Sequence, residues 1–196
     1  MKVLYAIQGT GNGHIARAAE IIPAFKKRVE TDVLVSGTHS ELDLGHRIRY
    51  RLNGLGFRFG KHGGIDVFNT WLHGDIPRFF REIDDLDLGQ YDLVVNDFEP
   101  VSARAALNLG VPCVGLSNQC TLLDSRIPKP AGSHAGRVTE AILTHYAPVD
   151  VAYGFHYHAV DRFITTPVIR REIRNARVSS GSHYLVYLPF YSDEKI

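Results

Sequence analysis

The chain has 196 residues, with 22 lysines and arginines against 21 aspartates and glutamates, a formal net charge of +1. That balance gives no electrostatic reason to expect nucleic acid or an anionic membrane as a partner, and the length fits one domain, or one domain with part of a second. Cys113 and Cys120 are the only cysteines; they read as small apolar fillers in a reducing compartment, not as a disulfide or metal framework. No charged-then-apolar leader precedes the first strand and no run approaches about 18 apolar residues, so a soluble, cytoplasmic protein is expected.

Lys2–Ile7 is an apolar run with β-branched Val3 and Ile7 and reads as a buried strand. It leads into Gly9-Thr10-Gly11-Asn12-Gly13-His14, where three alternate glycines precede a helix expected from about His14 to Val29. Ile15, Ala18, Ala19, Ile22 and Phe25 recur there at helical spacing, and Lys26, Lys27 and Arg28 close it, as the helix dipole favours. Thr31–Val35 reads as the second strand. Arg47–Leu52 alternates charged and apolar residues, the pattern of a half-exposed strand near a sheet edge. Phe57–Gly64 reads as a loop or short hairpin, and Asn69–Leu86 as helix that Pro77 should start or break.

Tyr91–Asn96 contains Leu93, Val94 and Val95 in succession, as in a strand buried on both faces. A helix from about Val101 to Leu109 follows, with Gly110 as its C-cap, and then a strand over Val111–Leu116. A polar loop runs to Gly132, a helix spans roughly Ser133–Tyr146, and Asp150–Phe155 and Phe163–Thr165 are further strands. Strands separated by helices pair in parallel through right-handed crossovers, so the expected fold is α/β, a Rossmann-like doubly wound parallel sheet flanked by helices. His183–Leu188 reads as a fresh buried strand. It either joins the main sheet as an edge strand or opens a second domain. The second reading is preferred, with residues 1–166 as one domain, 167–182 as a linker and 183–196 as the first strand of a truncated partner domain.

The glycine loop leaves backbone N–H groups uncovered at a helix N-terminus, which suits a phosphate or a substrate hydroxyl, with His14 at its mouth as a base. Its spacing is GxGxG and no acidic residue ends the second strand, so a dinucleotide is not expected; no Lys-Ser/Thr follows, which excludes a P-loop. Asp97 lies just past a central strand, at the sheet edge where open α/β folds bind ligands. A carboxylate there could hold the His14 imidazole in one tautomer while it deprotonates a hydroxyl. For Asp97 or Glu99 taken alone, a helix-capping role is the alternative.

Two weaker patterns accompany these. His156 and His158 have a spacing that could bind a metal from one side of a strand, but no third ligand is identifiable, so an ordinary pair is preferred and no metal site is expected. The stretch from Phe57 to Phe80 mixes aromatic and basic side chains. Such a surface can touch a membrane holding a lipid-linked substrate, although packing on the core is the plainer account.

The loop ending in Asn12-Gly13-His14 resembles the first loop of GT-B glycosyltransferases, especially the MurG-like and macrolide or plant natural-product branches. Asp92 to Pro100, continuing through Ala103-Arg104-Ala105-Ala106 to Gly110-Val111-Pro112, is similar to their strand, acidic turn, helix and following strand. Gly115-Leu116-Ser117-Asn118-Gln119 resembles the polar loop after it, Pro167-Val168-Ile169-Arg170 the crossing between domains, and Tyr184–Leu188 the first donor-domain strand.

The resemblance implies the N-terminal, acceptor-side half of an inverting, metal-independent sugar transferase, incomplete without its C-terminal donor domain. His14 would be the base and Asp97 its orienting partner. Gly11, Asn12 and Gly13 would line the donor diphosphate from the acceptor side, Asn118 and Gln119 would line the cleft, and Gly9, Thr10 and Glu99 would also be substrate-binding. The partners implied are a nucleotide-sugar donor, acting as substrate with no cofactor, and a hydroxyl acceptor, either lipid-linked at the inner membrane face or a small molecule. A non-hydrolysing nucleotide-sugar epimerase shares the architecture and is one alternative. A non-enzymatic module binding a phosphorylated or glycosylated ligand is the other.

Overall fold

The computed structural model describes residues 1–37, 43–56, 74–122, 124–128, 136–184 and 186. Seven parallel strands form one sheet: β1 (Lys2–Gln8), β2 (Glu30–Ser36), β3 (Tyr50–Leu52), β4 (Leu93–Asp97), β5 (Cys113–Ser117), β6 (Val151–Phe155) and β7 (Ile164–Thr165). Their spatial order is β3-β2-β1-β4-β5-β6-β7. The chain therefore leaves β1 outward in one direction and returns to lay β4 against its other side, which makes the β1/β4 boundary the topological switch point.

Helices cover both faces: α1 (Asn12–Lys26), α2 (Ile76–Asp85), α3 (Pro100–Leu109) and α4 (Arg137–His145), with a one-turn α5 (Arg171–Arg174) near the end of the described chain. The strand period of two divides β1 between two cores. Val3, Tyr5 and Ile7 pack with Ile15, Ala18 and Ile22 of α1. Leu4 and Ala6 pack with Phe79 and Ile83 of α2 and Val101 and Ala105 of α3. This is the Rossmann-like doubly wound sheet the sequence predicts.

Element ends differ from expectation for local reasons. Helix α1 starts at Asn12, two residues before His14, because Gly11 takes φ +109° and turns the chain straight into it. Pro77 falls in the first turn of α2, with Asp75 capping through a bond from the Arg78 N–H, so it starts the helix as expected. Gly110 caps α3 in the left-handed conformation. Only Tyr50–Leu52 of the expected edge strand pairs, against Leu34–Ser36, and it does lie at the edge.

His156 and His158 sit beyond the end of β6, where His156 Nδ1 accepts a bond from the His158 N–H at 3.0 Å; they belong to a turn and not to a strand face. The expected loop over 57–64, residues 69–73 of the expected helix, and residues 133–135 lie outside the described residues. Of the strand expected over His183–Leu188, residues 185, 187 and 188 lie outside them also, and Tyr184 and Val186 are exposed. Phe79 is buried and Phe80 exposed, while the other aromatics of that mixed stretch are outside the description. No helix among the described residues is long and apolar enough to cross a membrane.

Candidate functional site

The site lies at the C-terminal edge of β1, β4 and β5, where the register sets Ile7 opposite Asp97. Gly9 sits so close to β2 that a Cβ there would stand 2.8 Å from the Ser36 carbonyl oxygen and 2.9 Å from Val35 Cγ1. Beyond it the loop opens. A Cβ on Gly11 or Gly13 would meet nothing within 4 Å among the described residues, so the backbone at the start of α1 is not packed against them. Thr10 Oγ1 accepts from Gln8 Nε2 at 3.1 Å, and Asn12 forms the first residue of the helix.

In the first turn of α1, His14 Nδ1 lies 2.8 Å from Asp97 Oδ1. A carboxylate only accepts hydrogen bonds, so Nδ1 carries the proton and Nε2 is left as the acceptor. Asp97 is fully buried, which places the pair in a setting where charge interactions are strong. Asn118 and Gln119 stand on the one-turn 3₁₀ helix Asn118–Thr121 that follows β5. Gln119 Nε2 approaches His14 Nε2 to 3.4 Å. Small residues bring this turn in. A Cβ on Gly115 would lie 2.9 Å from Cys120 Sγ, and one on Gly154 would collide with the Thr121 methyl.

The structure thus gathers Gly11, Asn12, Gly13, His14, Asp97, Asn118 and Gln119 at one sheet edge. It places Glu99 elsewhere. That side chain is fully buried, and its two oxygens accept from the Val101 and Ser102 N–H groups at 2.8 and 2.7 Å. It caps α3, the alternative role the sequence offered. Burial holds its carboxyl above the ordinary value, with bonds from Ser102, Ser36 and Val101 pulling the other way. Phe98, between Asp97 and Glu99, has φ +56°, a strained conformation for a bulky residue that lets one acid face α1 and the next face α3.

A family model described as Glycosyl transferase family 1 matches residues 1–196. The chain belongs to that family. Among solved structures, the chain is similar to UDP-GlcNAc 2-epimerase from Neisseria meningitidis bound to UDP-GlcNAc, with 17% identity and a TM-score of 0.41. The match covers 79% of this chain and 40% of that one, so this chain is about half the length of that protein. No curated protein matches the chain.

In this glycosyl transferase family 1 chain the sequence reading missed Arg17. Its Nε and Nη2 donate to Asp97 Oδ2 and Oδ1 at 3.1 and 2.5 Å, and Nη1 donates to Asn118 Oδ1 at 3.2 Å. Its place three residues after His14, on the same helix face, was the available signal. A buried polar layer under the glycine loop was missed as well. Gln8 Nε2 donates to the Tyr146 hydroxyl at 2.9 Å, that hydroxyl donates to the Leu55 carbonyl, and Ser36 Oγ donates to Gln8 Oε1 at 3.3 Å.

Burial, then the nearby Asp97 charge, push the Tyr5 hydroxyl well above the ordinary tyrosine range, so it stays neutral beneath the dyad. Burial likewise raises both thiols, Cys113 to about 12. Beside the turn, a cavity of about 150 Å³ is bounded by Phe98, Ser117, Gln119 and Thr144.

Proposed function

We propose that this chain is the acceptor-side part of an inverting, metal-independent glycosyltransferase, completed by a donor-binding domain, with residues 167–182 as the linker and 183–196 as that domain's first strand. The observation that carries the reading is the 2.8 Å contact between His14 Nδ1 and buried Asp97, which leaves Nε2 as an unprotonated acceptor, 3.4 Å from the Gln119 amide nitrogen. Membership of glycosyl transferase family 1 over residues 1–196 supports the reaction class.

In this reaction a hydroxyl of the acceptor, small or lipid-linked, enters past Asn118 and Gln119. It gives its proton to His14 Nε2 as its oxygen bonds to the anomeric carbon of a nucleotide sugar. The bond from that carbon to the diphosphate oxygen breaks, and its electron pair leaves with the nucleoside diphosphate. Asp97 offsets the imidazolium charge that forms, and the N–H groups of Gly11, Asn12 and Gly13 meet the developing diphosphate charge. Attack opposite the leaving group inverts the anomeric centre.

The test uses the full-length protein with a panel of nucleotide sugars and hydroxyl acceptors in the presence of EDTA. Transfer with an inverted anomeric centre, read by NMR of the product, is the expected result. Retained configuration, loss of transfer with EDTA, or interconversion of the nucleotide sugar without an acceptor would overturn the reading.

A further inference from the structure

Building on the base assignment above, we propose that Arg17 is a positioning residue for the transfer reaction, locking the Asp97 carboxylate in the orientation that aims Oδ1 at His14. Asp97 is fully buried, so it needs both a counter-ion and a full set of hydrogen-bond donors. Among the described residues, Arg17 supplies the counter-ion and two of the three side-chain donors, with Nε on one carboxylate oxygen and Nη2 on the other. This fork fixes rotation of the carboxylate about its terminal bond. The remaining donor is His14 Nδ1, on the oxygen that Nη2 also holds.

Arg17 Nη2 and His14 Nδ1 come within 3.1 Å of each other. Since Nδ1–H and the guanidinium are both donors, this approach is not a hydrogen bond. It is the consequence of two donors converging on one oxygen, and it makes the imidazole position depend on the guanidinium position. The guanidinium is itself held from two further directions. Its Nη1 donates to Asn118 Oδ1 on the turn after β5, and its Cζ lies 5.4 Å from the ring centre of Phe155 at the end of β6. One side chain on α1 thus ties β4, the turn after β5 and β6 to the base. A lysine at this position would keep the charge, but a point ammonium cannot hold both Asp97 oxygens and Asn118 together.

The full-length protein is compared with its Arg17→Lys variant by kinetics and by the hydrogen-bonded Nδ1–H proton resonance of His14, which is assigned by its disappearance in His14→Gln. The expected result is a backbone spectrum that stays native, an Nδ1–H resonance lost to exchange, and kcat about 100-fold lower with the KM for donor within twofold, as a misplaced catalytic group gives. In Arg17→Ala, added guanidinium is expected to restore both the resonance and kcat. If Arg17→Ala does not fold, the neutral pair Arg17→Met with Asp97→Asn is expected to recover the native backbone spectrum, because it removes both buried charges, without recovering turnover. An unchanged resonance and unchanged kcat in Arg17→Lys would overturn the proposal, as would a guanidinium-insensitive but folded Arg17→Ala. The resonance needs no turnover. A wild-type protein that shows it but transfers no sugar would overturn the transferase reading, and only the hold of Arg17 on Asp97 and His14 would stand.

Discussion

His14 Nδ1 and Asp97 Oδ1 lie 2.8 Å apart although 83 residues separate them in the chain. The fold makes this contact in two steps. Strands β1 and β4 are hydrogen-bonded neighbours with Ile7 opposite Asp97, so both strands end at the same level of the sheet. Asp97 then follows Val95 in pointing to the α1 face, while Asn96 points to the α3 face and donates to Ser102 Oγ at 3.0 Å. Helix α1 begins just after the glycine loop and presents His14 and Arg17, three residues apart, on its side toward β4.

Replacement of Asp97 by Asn removes the charge that pairs with Arg17, whose side chain is only 10% exposed. Breaking a buried pair from one side leaves the other charge uncompensated, at a cost of about 3–5 kcal/mol. Urea unfolding of Asp97→Asn is expected to show a loss of that order. A loss below about 1 kcal/mol, the range of exposed ion pairs, would mean that the pair is effectively solvated.

The glycine loop separates a packing role from a ligand role at two positions. Gly9→Ala drives a Cβ against the Ser36 carbonyl and Val35, so it is expected to cost about 1–3 kcal/mol by overpacking. Gly13→Ala meets nothing within 4 Å among the described residues and lies in the first turn of α1, so thermal stability is expected to hold or rise slightly. Its methyl group instead enters the space assigned to the donor diphosphate, and the KM for donor is expected to rise about tenfold, equivalent to roughly 1.4 kcal/mol. Melting curves and donor titrations of the two variants check this opposition.

Glu99 gives the fold a pH dependence of definite sign. Its carboxyl in the folded chain is held above the ordinary value of 4.5, so between that value and the raised one the native state binds more protons than the unfolded state. Stability attributable to Glu99 therefore falls as pH rises through that window. Glu99→Gln removes this titration. Urea unfolding of both proteins at a series of pH values upward from about 4.5 should show the advantage of the wild type over Glu99→Gln shrinking with pH. An advantage that grows with pH would show that the two backbone N–H bonds, and not burial, dominate this carboxyl.

Cys113 and Cys120 are predicted to be inert. Burial holds both thiols up, Cys113 to about 12, so little thiolate forms near pH 8. A disulfide-exchange dye should react slowly with the native protein and rapidly after unfolding in urea. Rapid reaction of two thiols in the native protein would contradict this.

Features carried by short-range patterns were legible in the sequence. The run Leu93-Val94-Val95 announces a strand buried on both faces, and Gly110 announces the end of α3. His14 and Asp97 could be brought together because a parallel sheet places both strand ends on one edge. Arg17 could not be read in this way. On a helix an arginine is ordinarily a solvated side chain, and only the distant Asp97, Asn118 and Phe155 make it a buried one. Glu99 was ambiguous because an acid after a strand and before a helix serves a cleft or a cap equally well, and the left-handed turn at Phe98 decides in favour of the cap.

The most direct test of the account compares turnover of the full-length protein with that of His14→Ala, read as release of nucleoside diphosphate from its nucleotide-sugar donor in the presence of acceptor. The His14→Ala side chain cannot take the acceptor proton, and kcat is predicted to fall by about two to four orders of magnitude, the contribution of a general base. Turnover of His14→Ala within a few fold of the wild type would contradict the assignment of His14 as the base and the proposal built on its contact with Asp97.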